Sequence, residues 1–289
     1  MASPQNLDEA SSPGTRFDGK WLLERLLGSG STAHVYAAKH IYGFDAALKI
    51  MHPSLVTSRE RAKRFLEQGY LSNQVAHPAM VRIYDDGESE SGPYLVMDRV
   101  DGETLEAKLH ALPKGTPLPV AEALRIGRDL LQFVVAIHAG NLTHRSLNPT
   151  EILIARNGQL RVIDFDSGQG RDAHTEKNLS LAPPASRSPT YFPPELAAAS
   201  AVDGQADMWA CGALLYRMLA GSPPFVATRH SERSAYFNTD RVGPPLTEVC
   251  PDLPAALTAS IERALLPDPA MRFSSAAALL AAIERSSPR

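Results

Sequence analysis

At Val100-Asp101-Gly102 the patterning of the chain changes, and that change limits the folds open to it. Before it, apolar runs are short and punctuated by glycine and polar residues: Trp21-Leu22-Leu23, Leu26-Leu27, Val35-Tyr36-Ala37-Ala38, Ala46-Ala47-Leu48-Lys49-Ile50, Val81-Arg82-Ile83-Tyr84 and Tyr94-Leu95-Val96-Met97. Such runs predict an antiparallel sheet, with the polar stretch 85–93 as a turn between its last two strands. One stretch, Ser58 to Val75, carries Phe65, Leu66, Leu71 and Val75 at helical spacing and is closed by Pro78. After the change come four amphipathic stretches, Pro119 to Ala139, Gln205 to Ala220, Leu253 to Leu266 and Ser274 to Arg285, which predict helices. Strand-like pieces at 152–154 and 160–163 lie between them, and the Pro/Ser-rich stretch from Leu181 to Pro194 reads as a loop. The expectation is an α+β chain with a small β-rich lobe, a larger helical lobe and a cleft between.

Composition narrows the function classes. With 289 residues the chain can bury enough surface to fold without staples, and two cysteines, Cys211 and Cys250, make no disulfide framework. A net charge of -3 gives no electrostatic footprint for nucleic acid or an anionic membrane. The best apolar stretches, 130–137 and 276–283, reach only about eight residues, well short of a membrane span. Residues 1–16 offer almost nothing to bury and read as a disordered tail, without the basic-then-apolar order of a secretory signal. A cytoplasmic location is expected.

Several motifs carry chemistry. Gly28-Ser-Gly30-Ser-Thr-Ala33-His-Val35 sits between two strands and is either a plain hairpin turn or a loop whose backbone amides approach phosphate. Lys49, on the next strand but one, is either a snorkelling surface lysine or an ammonium placed over phosphates. The order of the remaining pieces decides. His144-Arg145-Ser146-Leu147-Asn148-Pro149-Thr150-Glu151 is followed by Asp164-Phe165-Asp166, Pro193-Pro194-Glu195, Asp207-Met-Trp-Ala-Cys-Gly212 and Asp268-Pro-Ala-Met-Arg272-Phe273. Over residues 20–285 the chain resembles the eukaryotic-type (Hanks-type) Ser/Thr protein kinases of bacteria, whose signature pieces occur in this order and spacing.

That resemblance implies a bilobal kinase fold, with an N-lobe over 17–97, a hinge at 98–102 and a C-lobe over 103–289. It also implies a nucleotide site. Val35, Ala47 and Leu153 match the positions that sandwich adenine, or else are apolar for lobe packing alone. Met97 matches the gate, and the backbone of Asp98 and Val100 the hinge. Gly28, Gly30 and Lys49 match phosphate contacts, and Asp164 a metal ligand. ATP is the implied cofactor, with Mg or Mn left open.

The departures concentrate where the chemistry belongs. The family's catalytic loop reads H-R-D-L-K-P-E-N, and here Ser146 stands at the position of the Asp that takes the acceptor's proton. A serine hydroxyl is no base near neutral pH without an activating partner. Asn148 replaces the lysine, Glu151 the metal-binding Asn, and Asp166 the Gly of D-F-G. Gln68 stands where the Glu partner of Lys49 belongs, with Glu67 one residue, about 100° around the helix, out of register. Glu151, Asp164 and Asp166 put three carboxylates beside a polyanionic triphosphate, which repels it unless metal ions fill the space.

The bracing residues remain. By resemblance His144 is a buried structural histidine packed near Phe165, Glu195 and Arg272 form a buried ion pair, and Asp207 holds the backbone of the catalytic loop. Arg145 is structural and is also a candidate partner for a phosphate on Thr175, Ser180, Ser186, Ser188 or Thr190. The reading is a pseudokinase that binds nucleotide and acts on protein partners, among them an active kinase or signalling protein. Two alternatives stay open: a slow or unconventional kinase or nucleotide-dependent transferase using Asp164, Asp166 and Glu151, and a nucleotide-free scaffold.

Overall fold

The computed structural model describes residues 12–56, 58–163, 169–170, 191–197, 203–225 and 244–287. They fall into two compact units, one formed by Met80–Asp101 with the described residues up to Ala76, the other by His77–Ala79 with those from Gly102 onward.

The first unit is a six-stranded antiparallel sheet. Its strands are β1 (Arg16–Phe17), β2 (Trp21–Ser29), β3 (Ala33–His40), β4 (Asp45–Met51), β5 (Ile83–Ser89) and β6 (Gly92–Met97), in the order β1-β2-β3-β4-β6-β5. Two helices, α1 (Pro53–Val56) and α2 (Arg59–Leu71), lie between β4 and β5. Alternation along the strands gives the sheet two different faces. Tyr36, Ala38, Leu48, Ile50, Tyr94 and Val96 join Phe17, Trp21 and Leu23 in one apolar cluster. On the other face Val35 pairs with Lys49, Lys49 with Leu95, and Ala47 with Met97, so these side chains share a surface.

Two expectations change. Residues 12–16 are not loose: Gly14 N–H donates to Leu23 C=O at 2.7 Å, Leu23 N–H to Thr15 C=O at 3.0 Å, and Arg16 pairs with Leu22. The edge-to-face contact of Phe17 with Tyr94, at 5.1 Å, and the hydrogen bond from Tyr94 Oη to Asp18 anchor this segment over the apolar face. The stretch 85–93 is not one long turn either, because β5 continues to Ser89 and β6 starts at Gly92. As an edge strand, β5 tolerates the exposed Asp85, Asp86 and Glu88, charges that also discourage pairing with another chain.

The second unit is mainly helical. It holds β7 (Gly102–Thr104), α3 (Leu105–Ala111), α4 (Val120–Ala139), β8 (Leu142–Thr143), β9 (Ile152–Ala155), β10 (Leu160–Val162) and β11 (Gln169–Gly170). Then come α5 (Pro194–Ala197), α6 (Gln205–Ala220), α7 (Leu246–Val249), α8 (Ala255–Ala264) and α9 (Ala276–Ser286). The core forms where α4 packs on α6 and α9, with Leu130, Leu131, Phe133, Val134 and Ile137 of α4 buried. Nearly every residue of α6 is buried, Cys211 included, the signature of a central helix rather than a surface one. Thr104 and Ser275 accept the N–H of Ala107 and Ala278 and so fix the starts of α3 and α9. β7, β9 and β10 form a small antiparallel sheet, and the hairpin of β9 and β10 follows directly on residues 144–151. Among the described residues no helix is long and apolar enough to cross a membrane.

Candidate active site

In the first unit the residues matched to a nucleotide site share the sheet face opposite the apolar cluster. Gly28 pairs with Val35, Val35 with Lys49, and Ala47 with Met97. Ala47, Lys49 and Met97 are buried and Val35 is half-buried. A Cβ built at Gly28 meets nothing within 4 Å, and one at Gly30 only the Ala33 carbonyl at 3.7 Å. The backbone there is open to close approach. Beyond Met97, Asp98 is held by its N–H donating to Arg82 C=O at 3.1 Å and its carboxylate accepting from Arg82 N–H and Tyr84 Oη.

Helix α2 packs over this face. A Cβ on Gly69 would fall 2.3 Å from a Leu95 methyl, so the glycine allows the close approach. One turn earlier Phe65 is buried, its ring centroid 5.8 Å from Lys49 Nζ, within cation–π range. Glu67 lies about 200° around the helix from Phe65. Its carboxylate is 60% exposed and 3.5 Å from Lys63. It is therefore directed away from Lys49 and is not a substitute partner. Gln68 lies on α2, and its side chain is outside the described residues.

In the second unit the catalytic loop is folded onto its own backbone. Arg145 adopts a left-handed conformation, φ 67°, which costs a non-glycine residue about 1–2 kcal/mol. The turn directs two successive amides at one carboxylate: His144 N–H donates to Asp207 Oδ2 at 2.9 Å and Arg145 N–H to Oδ1 at 2.6 Å. Asp207, at the start of α6, has no solvent exposure, and His138 Nε2 lies 2.9 Å from its Oδ2. Burial would push this carboxyl up, but the hydrogen bond and charge of His138, with the His144 interactions, hold it below its ordinary value. Burial lowers the Arg145 guanidinium, against the opposing pull of Asp207 and Asp203.

The replaced positions are buried within this frame. Ser146 Oγ lies 3.3 Å from His144 Nδ1, and His144 packs edge-on to Phe133. Asn148 accepts the Thr150 N–H at 2.9 Å and donates to the Ser146 carbonyl at 3.0 Å. Glu151 is 4% exposed, its N–H bonded to Asn148 C=O and its carbonyl to Ile163 N–H. Leu153 is half-buried on β9. Where the resemblance implies a lysine directed at phosphate, the asparagine closes the loop on itself.

The Arg272 side chain is fully buried, with its guanidinium 4.8 Å from the Trp209 ring. It forks onto Glu195 at 2.7 and 2.8 Å.

Asp164, Phe165 and Asp166, and Thr175, Ser180, Ser186, Ser188 and Thr190, lie outside the described residues. Among the described residues no group of His, Cys, Asp and Glu could hold a metal. No local sequence signal marks His138, whose partner Asp207 is 69 residues away, or His52, which reaches Gly30 across 22 residues.

Asp207→Asn tests the brace. An amide offers one acceptor oxygen where the carboxylate serves two backbone N–H groups and His138, so the variant is expected to lose about 3–5 kcal/mol, read by urea unfolding. The carboxyl is lowered on folding, so its contribution is present above the unfolded value near 4 and lost as pH falls through the still lower folded value. Wild type should therefore lose stability below about pH 4, and the variant should lose less over that range.

The protein kinase domain family matches residues 21–281. The serine/threonine-protein kinase Pkn1 of Myxococcus xanthus is 32% identical over 274 residues, covering 92% of this chain and 38% of that protein. A probable serine/threonine-protein kinase of Streptomyces coelicolor, SCO3848, is 31% identical over 269 residues, 90% of this chain and 39% of its own. The chain thus spans about two fifths of these curated relatives. Among solved structures the kinase domain of Mycobacterium tuberculosis PknI aligns with a TM-score of 0.71 at 26% identity, covering 96% of this chain and 99% of that one.

Proposed function

Since the chain belongs to the protein kinase family and has its fold, we propose that it is a pseudokinase: a domain that keeps nucleotide binding, lacks the catalytic base and works through protein partners. The observation that carries the reading is the catalytic loop. The position of the base is a buried serine at hydrogen-bonding distance from His144, and Asn148 is bonded to the loop's own backbone. An activating histidine makes a serine a better nucleophile; it does not enable that serine to take a proton from a second hydroxyl. Losing a positioned base costs roughly 10²–10⁴ in rate. Family members bind ATP with Mg or Mn, and the metal shields charge on the transferring phosphoryl group. Val35 and Ala47 would contact the base, with Met97 at the gate, Gly28 and Gly30 would meet the phosphates, and Lys49 would supply a cation. The buried Asp207 and Arg272 networks would keep a defined surface in place for a protein partner.

Thermal unfolding with ATP, with and without Mg²⁺ or Mn²⁺, tests retained binding. Ligand at 100 times its dissociation constant should stabilise the protein by about 2.7 kcal/mol, and Lys49→Met should weaken that effect. No shift at millimolar ATP with either metal would leave the nucleotide-free scaffold.

A further inference from the structure

We infer that His52 is a positioning residue that clamps the glycine-rich turn between β2 and β3. The turn, Gly30-Ser31-Thr32, has no large side chain to hold it by packing, and its residues are exposed. Within it, Gly30 N–H donates to Ala33 C=O at 2.9 Å. His52 follows directly on β4 and takes hold of the turn twice. Its backbone N–H donates to Thr32 C=O at 2.9 Å, and its Nε2 lies 2.8 Å from Gly30 C=O. A carbonyl oxygen only accepts, so that contact places the imidazole proton on Nε2. The carbonyl of His52 accepts from Leu55 N–H at 2.9 Å, tying the same residue to α1. His34, on β3, packs edge-to-face against the ring at 4.2 Å and 86° and fixes its orientation. Burial, then the neighbouring His52, lowers the His34 imidazole, which favours an uncharged ring beside the clamp.

Carbonyls swung toward a bound phosphate would repel it, and two of the three in this turn are engaged on His52. The clamp itself stands on this geometry, whereas its effect on ligand affinity rests on the nucleotide reading above. The experiment separates the two.

Hydrogen exchange of the full chain without nucleotide is compared for wild type, His52→Phe, which keeps a ring against His34 and removes the donor, and His52→Gln, which returns an N–H donor. The amides of 28–33 are expected to exchange about 3–10-fold faster in the Phe variant, with the Gln variant within about 2-fold of wild type. If the Phe variant fails to fold, His52→Ala takes its place. Unchanged exchange in a folded donor-less variant, or no recovery with Gln, overturns the clamp. In wild type that binds ATP, the donor-less variant should lose ATP affinity by the same factor while adenosine affinity stays level. Equal loss for both ligands contradicts a role at the phosphates. Should wild type bind no ATP, the nucleotide reading fails and the exchange result still decides the clamp.

Discussion

A variant carrying Ser146→Asp, Asn148→Lys, Glu151→Asn, Asp166→Gly and Gln68→Glu together is expected to phosphorylate a generic peptide about 10²–10⁴-fold faster than wild type. Ser146→Asp alone should recover little of that. The aspartate would regain the proton acceptor, but Asn148 would still be bonded to Thr150 and the Ser146 carbonyl rather than supplying a cation. Helix α2 would still present Phe65 to Lys49, with the Glu67 carboxylate turned to Lys63. Residues that act as a unit give non-additive effects, so the fivefold variant should exceed the product of the single gains. Incorporation of the γ-phosphate, measured beside a version of the variant that also carries Lys49→Met, gives the number. A fivefold variant as slow as wild type would mean that the obstacle lies elsewhere in the chain.

Arg272→Met is expected to destabilise the protein severely. The five N–H donors of Arg272 make five bonds: two to the Glu195 carboxylate, and one each to the carbonyls of Gln205, Leu266 and Pro267. Removing the cation leaves three carbonyls and a carboxylate with 10% exposure to find other partners. The cost should be about 3–5 kcal/mol, a fall of roughly 10 °C in the melting temperature for a unit of this size. Arg272→Lys should recover only part, because an ammonium has three donors and no planar fork. The double variant Glu195→Gln, Arg272→Met should be less unstable than Arg272→Met alone, since it leaves no buried charge uncompensated. A double variant that melts lower than the single one would contradict this account of the site.

Legibility in the sequence followed the strength of the local signal. The bounds of α6, Gln205 to Ala220, are those expected, but burial on nearly every side gives it no amphipathic face, and α4 begins one residue inside the expected stretch, behind Pro119. The expected C-terminal helices are trimmed by their N-caps, Pro254 and Ser275. β5 looked like a turn because an edge strand needs no apolar alternation. Its Gly87 also imitates a turn residue, yet a Cβ there would fall 2.4 Å from the ring of Tyr94 on the paired strand, so the glycine makes room for that ring. β1 has only two residues, too few to show a period, and its hold on the sheet depends on Tyr94, distant in sequence.

At the site, the resemblance named Asp207, Glu195 and Arg272, and these are the residues that converge on the buried networks. His138 and His52 were not legible, because a histidine's partner is chosen by the fold and not by its neighbours in sequence. The consequence of Asn148 was only half legible. The substitution is written in the chain, but its engagement with the loop backbone depends on the turn that Arg145 and Asp207 impose.

The most direct measurement is the initial rate at which wild type, purified beside its Lys49→Met variant, transfers the γ-phosphate of Mg-ATP to a serine/threonine peptide. Incorporation by wild type no higher than by the variant is the predicted result. Turnover in the range of about 1–100 s⁻¹ typical of kinases, abolished by Lys49→Met, would contradict it.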